Sequence, residues 1–284
     1  MLAKKIASVA PIDYKVTAVD LPGFDMTDKD HVLDYVRELN PEVIVNCAAF
    51  TNVDGCETEQ SLAEQVNGVA VGYLAEAAKK VDAVLVHIST DYVFDGNKNS
   101  PYTETDSTNP QSVYGHSKLL GEKKLLASGL KKYFIVRTSW LYGPGGNNFV
   151  ETIVRLSKER TVIGIVADQV GSPTYTGDLA DAVFSLLEAA SSSEPPASKL
   201  YGLYHFSNDG QCSWYEFAKE IASLARAEGE QLKVDKINPI KTEDYPLPAK
   251  RPAFSVFSKE KYSRITGKSV PLWKESLPKY FTER

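Results

Sequence analysis

Short apolar runs rich in β-branched residues alternate with longer segments of helical period through the first half of this sequence, and no other feature constrains the fold as strongly. The runs predict strands at 16–20, 43–47, 83–89 and 133–138. The segments between them predict helices at about 28–39, with Thr27 as the N-cap, 61–80 and 111–127. This order is typical of crossover units on a parallel sheet. We therefore expect an α/β fold with a doubly wound, Rossmann-like parallel sheet.

The second half of the chain has a less regular rhythm. It predicts helices at about 148–159, 178–190, 214–228, 259–266 and 273–281, strands near 161–166 and 202–206, and a surface loop at 191–198. Ligands of open α/β sheets bind beyond the carboxyl ends of the strands, so this half is the natural source of a substrate lobe. We predict a dinucleotide-binding domain over 1–145. Residues 146–284 would form mainly a smaller C-terminal substrate-binding lobe, with some segments returning to the first domain.

Composition excludes several classes of function. The formal net charge of −5 argues against a broad nucleic-acid-binding surface, which needs a basic stripe. No apolar run approaches the roughly 20 residues that span a bilayer, so no membrane association is expected. The three cysteines, Cys47, Cys56 and Cys212, have neither metal-site nor disulfide-framework spacing, which favours reduced cytoplasm. The four histidines offer no metal-binding spacing either, and His87, within a strand, is interpreted as a packed residue.

The most informative pair is Tyr114 and Lys118, which lie four residues apart at the front of a predicted helix and so share one face. Spacing alone is weak evidence, because Tyr215 and Lys219 have the same spacing in a helix that packing explains better. Context favours the first pair. Thr90 directly follows the preceding strand, and one crossover separates it from Tyr114, so the two groups can meet in space. The competing interpretation of the segment 89–94 is a polar turn with its aromatic residues packed inward.

Ketone reduction explains these residue types. After hydride transfer from a nicotinamide the new alkoxide needs a proton, and a tyrosine hydroxyl can donate it. A free tyrosine has a pKa of about 10, so a shift of ~3 units would require roughly 4 kcal/mol of preferential stabilisation of the phenolate. We expect the Lys118 ammonium to supply it and to hydrogen-bond the cofactor's ribose. Thr90 or Ser89 would orient the substrate carbonyl.

Several motifs together resemble the dTDP-4-dehydrorhamnose reductases of the extended short-chain dehydrogenase/reductase class. In the family's order they are Asn46 to Ala49 with Thr51, Val53 and Asp54, Ser89 to Gly96, Val113 to Gly115 with Ser117, Lys118, Gly121 and Glu122, Arg137 to Trp140, Asn147 to Phe149, Asp168 to Thr174, and Pro248 to Pro252. The resemblance extends over nearly the whole chain. It implies reduction of dTDP-4-dehydro-L-rhamnose with NADPH or NADH, with Thr90, Tyr114 and Lys118 as catalytic residues.

The resemblance also implies binding residues. The cofactor would contact Asp20, Asp25, Met26, Cys47, Ala48, Ala49, Ser89, Tyr114 and Lys118. The nucleotide-sugar substrate would contact Thr51, Val53, Trp140, Asn148 and Arg251, the last through its diphosphate, since a guanidinium donates paired hydrogen bonds. Two alternatives stay open from the residues themselves, because Trp140 could be a core aromatic and Arg251 a solvated surface charge. No metal is expected, and the resemblance is compatible with a homodimer.

The sequence departs from the family pattern at its start. The family opens with a strand and a glycine-rich turn that holds the cofactor's pyrophosphate at a helix N-terminus. In this sequence Met1 and Leu2 resemble the first residues of the helix after that turn, so we expect a gap in the sheet and weaker cofactor binding. Two alternatives to the reductase follow. One is a non-catalytic subunit resembling the regulatory subunit of methionine adenosyltransferase, and the other is a reductase or epimerase of a different nucleotide sugar.

Overall fold

The structure, a computed structural model, describes residues 1–191 and 199–284. Its α-helices are α1 (Leu2–Val9), α2 (Lys29–Leu39), α3 (Val53–Thr58), α4 (Gln60–Glu64), α5 (Ala70–Lys80), α6 (Val113–Ala127), α7 (Phe149–Glu159), α8 (Thr176–Ser191), α9 (Trp214–Ala227), α10 (Glu260–Thr266) and α11 (Trp273–Glu283). Its strands are β1 (Val43–Asn46), β2 (Val84–Thr90), β3 (Tyr133–Thr138), β4 (Leu141–Tyr142), β5 (Val162–Val166), β6 (Val170–Gly171), β7 (Thr174–Tyr175), β8 (Gly202–His205), β9 (Cys212–Ser213) and β10 (Lys236–Ile240).

The main sheet has the order β1-β2-β3-β8, and every neighbouring pair is parallel. Helices cover both of its faces. On one face α1 and α8 pack against Val86, Phe134 and Val136. On the other face α2, α5 and α6 pack around Leu85 and Ile135. Strands buried on both sides by crossover helices define the predicted α/β architecture, which is confirmed.

Local chemistry accounts for where the helices begin. Ser112 caps α6 by accepting a hydrogen bond from the Gly115 amide, and Ser213 and Glu216 form a reciprocal capping box at the start of α9. The predicted cap of α2 was wrong by one residue. Asp28, and not Thr27, accepts the His31 amide hydrogen bond that begins this helix. Thr27 instead donates its own amide and hydroxyl to Asp25.

A second apolar core lies in the C-terminal half. It joins α7, α9 and α11, with Tyr142, Phe217 and Tyr280 among its fully buried side chains. A separate parallel pair, β5 and β10, borders it. The strand β10 was missed from the sequence, because its Asn-Pro pair (238–239) interrupts the apolar pattern. In contrast β8 leaves this half and pairs with β3 in the main sheet.

Two sequence predictions about regular elements were wrong. Residues 16–20 form no strand, and Val16 and Val19 are exposed. Within the described residues β1 pairs only with β2 and has an open edge, and no strand connects this edge to residues 16–20, as the expected gap requires. The single helix predicted at 61–80 is interrupted by a π-helical turn, Gln65–Val69, between α4 and α5.

The other predicted elements lie within a few residues of their observed bounds. The sequence did not predict α3 or the two-residue strands β4, β6, β7 and β9. The predicted loop at 191–198 begins at Ser191, the last residue of α8, and its other residues, 192–198, lie outside the described residues. In the part of the chain that the structure describes, no helix has the length and apolar character needed to cross a membrane.

Candidate active site

The predicted catalytic residues meet where β2 ends and α6 begins. Thr90 is the last residue of β2, and the chain passes through a short 3-10 turn before α6 brings Tyr114 back to it. This return needs a close approach, because a Cβ atom on Gly115 would collide with the carbonyl oxygen of Tyr92. The Tyr114 hydroxyl lies close enough to Thr90 for the Thr90 hydroxyl to affect the pKa of Tyr114. Thr90 is itself buried, and its hydroxyl donates to Asp91 at 3.0 Å.

The electrostatics of Tyr114 differ from the sequence-based expectation. Burial raises the pKa of its hydroxyl above the ordinary value of about 10, and the contact with Thr90 opposes this only in part. The Tyr92 ring packs edge-to-face against the Tyr114 ring, with centroids 5.4 Å apart. The prediction that Lys118 lowers this pKa towards neutrality is therefore wrong. The physical reason is that burial disfavours the phenolate more than the neighbouring groups stabilise it.

Lys118 is one turn further along α6 and only 2% exposed. Its ammonium donates to the carbonyl oxygen of Ile88 at 2.7 Å. Burial lowers the pKa of Lys118 to about 8, while Glu122 and Cys47 act in the opposite direction. At neutral pH the side chain is thus still largely protonated, and two of its three N–H groups have no acceptor among the described residues.

The turn after β1 also lies close to Lys118. Asn46 is buried, accepts a hydrogen bond from the Ala48 amide, and contacts His87 Nδ1 through its own amide nitrogen. His87 is fully buried, which confirms its interpretation as a packed residue. Cys47 lies close enough to Lys118 for the two to affect each other's pKa, and burial raises the pKa of the Cys47 thiol to about 12. Ala49 follows, half-buried.

The other predicted cofactor contacts lie apart from this cluster. Asp20 is exposed, and its carboxylate accepts the Leu21 amide. The Asp25 carboxylate accepts hydrogen bonds from the amide and the hydroxyl of Thr27. Met26 is buried in the core beneath α2. These side chains belong to the segment that precedes α2, and none of them makes a described contact with Tyr114 or Lys118.

The Ser89 hydroxyl is engaged by Glu122, two turns of α6 beyond Tyr114. The Ser89 hydroxyl donates to Glu122 Oε1 at 2.5 Å, inside the protein. Of the two hydroxyl groups that the sequence offered for the substrate carbonyl, the structure places only Thr90 beside Tyr114.

The Trp140 ring packs against the second core in an aromatic stack. Its ring lies parallel to that of Trp214, with centroids 3.4 Å apart, and Phe149 packs against Trp214. Its backbone has a positive φ of 48°. A side chain at position 171 would collide with the indole, since a Cβ atom on Gly171 would lie 2.5 Å from it. Trp140 is half-buried and stacked, so it is in part a packed aromatic residue, and its role as a wall of the sugar pocket stays a prediction.

Asn148 caps α7. Its side-chain oxygen accepts the Glu151 amide, and its nitrogen donates to the carbonyl oxygens of Gly143 and Gly146 at 2.9 and 3.0 Å. The Met1 side chain also reaches this loop, with its sulfur 3.5 Å from the same nitrogen. Asn148 therefore shapes the loop at 143–148 in this structure.

Arg251 is not a solvated surface charge. It forms a paired ion bridge with Asp54, at 2.6 and 2.7 Å, and also donates to the Ala249 carbonyl. The Arg251 guanidinium lowers the pKa of the Asp54 carboxyl. Asp54 lies in the first turn of α3, directly after Val53, while Thr51 is exposed just before the helix. The bridge places Arg251 next to the turn predicted to bind the substrate, and beside Tyr92.

Sequence reasoning gave no role to three residues that shape this region: Asp54, Trp214 and Glu122. A signal existed for two of them, since Asp54 and Glu122 both fall inside motifs that carry the family resemblance. Trp214 had no comparable signal, because only the tertiary fold brings the start of α9 against Trp140.

Known proteins resemble this chain over nearly its whole length. The RmlD substrate binding domain family matches residues 2–284. A dTDP-4-dehydrorhamnose reductase of Aggregatibacter actinomycetemcomitans is 44% identical over 93% of this chain and 88% of its own length. The spore coat polysaccharide biosynthesis protein SpsK of Bacillus subtilis is 42% identical over 95% and 89%. A crystal structure of dTDP-4-dehydrorhamnose reductase from Bacillus anthracis in complex with NADP superposes with a TM-score of 0.91, at 41% identity, covering 100% of this chain and 95% of that one.

Proposed function

The chain belongs to the RmlD substrate binding domain family, and on that premise we propose that it reduces dTDP-4-dehydro-L-rhamnose to dTDP-L-rhamnose, with NADPH or NADH as the hydride donor, in dTDP-rhamnose biosynthesis. The observation that carries the proposal is the convergence of Thr90, Tyr114 and Lys118 at the carboxyl end of β2. A ketone reductase needs a proton donor, a carbonyl-binding hydroxyl and a cation at the cofactor, and these three residues supply them.

The donor groups present fit a nicotinamide cofactor. When bound, the cofactor supplies the hydride. Lys118 has two N–H groups free for ribose hydroxyls while Ile88 holds its third, so the side chain is already fixed in place. Cys47, Ala48 and Ala49 would line the cofactor along the turn after β1, and Asp20 would bond the adenosine ribose.

Tyr114 would donate the proton. Its raised pKa keeps the hydroxyl protonated throughout the neutral range, which is the state that a proton donor requires. The substrate alkoxide is a stronger base than a phenolate, so proton transfer from Tyr114 to the new hydroxyl oxygen is downhill. Reduction therefore does not require the pKa of Tyr114 to be lowered to near 7. The reverse oxidation would require it, because Tyr114 would then have to accept a proton.

Thr90 would hold the substrate carbonyl next to Tyr114. Its hydroxyl is buried and lies near the tyrosine, so the carbonyl oxygen would be placed between two hydroxyl groups. Thr90 donates its single hydroxyl proton to Asp91 in this structure, so this proton must turn to the carbonyl oxygen when the substrate binds. Both hydroxyl groups would then stabilise the negative charge that develops on that oxygen.

The second lobe, mainly residues 146–284, would bind the nucleotide sugar. Trp140 would form a wall of the sugar pocket, with Thr51 and Val53 opposite it. Asn148 would contribute by shaping the loop at 143–148. Arg251 would bind the diphosphate, for which its guanidinium must exchange the Asp54 carboxylate for phosphate oxygens.

The proposal is tested by incubating the purified chain with dTDP-4-dehydro-L-rhamnose and either NADPH or NADH. We expect loss of the reduced-nicotinamide absorbance, with dTDP-L-rhamnose detected by mass spectrometry. Binding of the nucleotide sugar without any turnover would contradict the reductase and favour a non-catalytic binding subunit. Faster turnover of a UDP-linked ketosugar would instead identify another nucleotide sugar as the substrate.

A further inference from the structure

Three hydrogen-bond donors of one segment converge on the carboxylate of Asp54. Arg251 donates from Nη1 at 2.6 Å and from Nη2 at 2.7 Å, and the Ala249 amide donates to the same carboxylate at 3.1 Å. A guanidinium fork beside a backbone N–H group is also a donor set that binds phosphate oxygens. The segment 249–251 therefore carries a small anion-binding set of donors, and the anion that it holds belongs to α3.

The exposure of this bridge distinguishes it from the paired bridge between Arg137 and Glu122. In the Arg137 bridge, with hydrogen bonds of 2.9 and 2.6 Å, both side chains are 4% exposed, so neither charge would reach water if the pair separated. The Arg251 and Asp54 side chains are 17% and 33% exposed. An anion from solution can reach this guanidinium, and water can hydrate the carboxylate that it releases.

The short helix α3 lies against the start of the catalytic helix. Its Glu57 carboxylate accepts the amide hydrogen bond of Val113, the residue before Tyr114, at 2.9 Å. Tyr92 lies close enough to Arg251 for the two to affect each other's pKa, and its ring packs against the Tyr114 ring. Because Tyr92 adjoins both residues, a sugar bound at Tyr114 would bring its attached diphosphate close to the bridge.

We propose that Asp54 is an affinity-determining residue of the nucleotide-sugar site, an inference that rests on the proposed function. Its carboxylate occupies the donors that the diphosphate needs, so the diphosphate binds by displacing it from Arg251 and from the Ala249 amide. Asp54 is thus an internal competitor of the ligand, and it takes the guanidinium back when the product leaves.

This competition lowers the affinity of every ligand that binds through Arg251. The diphosphate binds only to the fraction of molecules in which the bridge is open, so the apparent dissociation constant rises by the inverse of that fraction. A partly exposed ion pair contributes little net free energy, so the expected loss of affinity is about threefold to tenfold. The same loss applies to the product and favours its release.

The test is Asp54→Asn, which keeps the shape and removes the competing charge. Binding of dTDP is measured by isothermal titration calorimetry in the presence of NADP+, and no turnover occurs because dTDP carries no ketone. We expect the dissociation constant for dTDP to fall by about threefold to tenfold. Asp54→Ser removes the same charge with a shorter side chain and should show the same gain, so the test does not depend on the folding of one variant.

Asp82→Asn is the matched control, because it changes the net charge of the chain by the same amount. Asp82 forms an exposed ion pair with Lys132 at 2.6 Å and precedes β2, at the end of the strand opposite to Thr90. The dissociation constant for dTDP should not change in this variant.

An Arg251→Met background separates competition from direct repulsion between Asp54 and the ligand. Without the guanidinium there is no donor fork to compete for. We therefore expect Asp54→Asn to leave the weakened dTDP affinity of Arg251→Met unchanged.

Unchanged or weaker dTDP binding in both Asp54 variants would overturn the proposal and leave Asp54 as a residue that only holds Arg251 in place. A gain of full size in the Arg251→Met background, or an equal gain in Asp82→Asn, would also overturn it. A chain that shows the predicted gain but does not reduce dTDP-4-dehydro-L-rhamnose would contradict the proposed function while leaving the competition by Asp54 in place.

Discussion

Two helices of this protein carry a tyrosine and a lysine at the same spacing, and they differ in every other respect. In α6, Lys118 is buried and bonded to the main chain of β2, with Tyr114 beside Thr90. In α9, Lys219 is exposed, and its ammonium lies over the Tyr215 ring, 5.4 Å from the centroid. The α9 pair thus forms a local cation–π contact on the surface of the second lobe.

The difference shows that the spacing of two residues in the sequence does not by itself predict a functional site. A separation of four residues places two side chains on one helical face, but the neighbouring element decides what that face meets. The helix α6 lies against the carboxyl end of β2, where Thr90 presents its hydroxyl. The helix α9 packs its Phe217 and Ile221 face into the second core, and its tyrosine and lysine remain outside.

The largest difference between the two helices is expected from removal of the lysine charge. Lys118→Met should lower kcat/KM by about a hundredfold to ten-thousandfold, because the proton-donating site loses its cation and its ribose donor. Lys219→Met is the matched control and should stay within about twofold of the unsubstituted chain, since surface contacts of this kind contribute little. Steady-state kinetics on both variants measure the contrast, and equal losses would remove the distinction between α6 and α9.

Two threonines on adjacent strands sharpen the same comparison. Thr90 and Thr138 are register partners at the ends of β2 and β3, and Thr90 lies close enough to Tyr114 to affect its pKa. Thr90→Val should lower kcat by about a hundredfold, as loss of one preorganised donor does. The Thr138 hydroxyl is buried with no partner among the described residues, so Thr138→Val should leave kcat nearly unchanged. A greater loss of kcat in Thr138→Val than in Thr90→Val would contradict the account. It would show that the substrate carbonyl binds at the end of β3 and not at the end of β2.

A smaller effect is expected at Arg251. Arg251→Lys keeps the charge and loses the paired hydrogen bonds, so the KM for the nucleotide sugar should rise by roughly tenfold with little change in kcat. The adjacent Lys250 makes one exposed contact, at 3.4 Å from Gln111, and Lys250→Gln is the control with no expected change. An unchanged KM in Arg251→Lys would place this residue outside the binding site.

The sequence predicted the elements whose signals are local. The strands β1, β2 and β3 are rich in apolar residues, and α6 begins at a serine cap. All four elements were therefore predicted close to their observed bounds. Residues 16–20 carry a comparable apolar run and form no strand. A strand exists only if a neighbour accepts its hydrogen bonds, and a single segment cannot reveal that neighbour.

The sequence predicted which residues come together in the site better than it predicted their pKa values. Thr90, Tyr114 and Lys118 come together as expected, because parallel strands and their crossover helices fix where strand ends meet. The pKa of Tyr114 was predicted in the wrong direction, since burial depends on how Tyr92 and α6 pack. The Asp54 partner of Arg251 was likewise invisible, because 197 residues separate the two in sequence.

The most direct test of the central claim compares Tyr114→Phe with Tyr215→Phe in single-turnover reduction of dTDP-4-dehydro-L-rhamnose. The account predicts that Tyr114→Phe slows the chemical step by about a hundredfold to ten-thousandfold while nucleotide-sugar affinity stays nearly constant, because the lost hydroxyl acts mainly in the transition state. Tyr215→Phe should keep nearly the full rate. Near-normal turnover by Tyr114→Phe, or equal losses in the two variants, would contradict the assignment of Tyr114 as the proton donor.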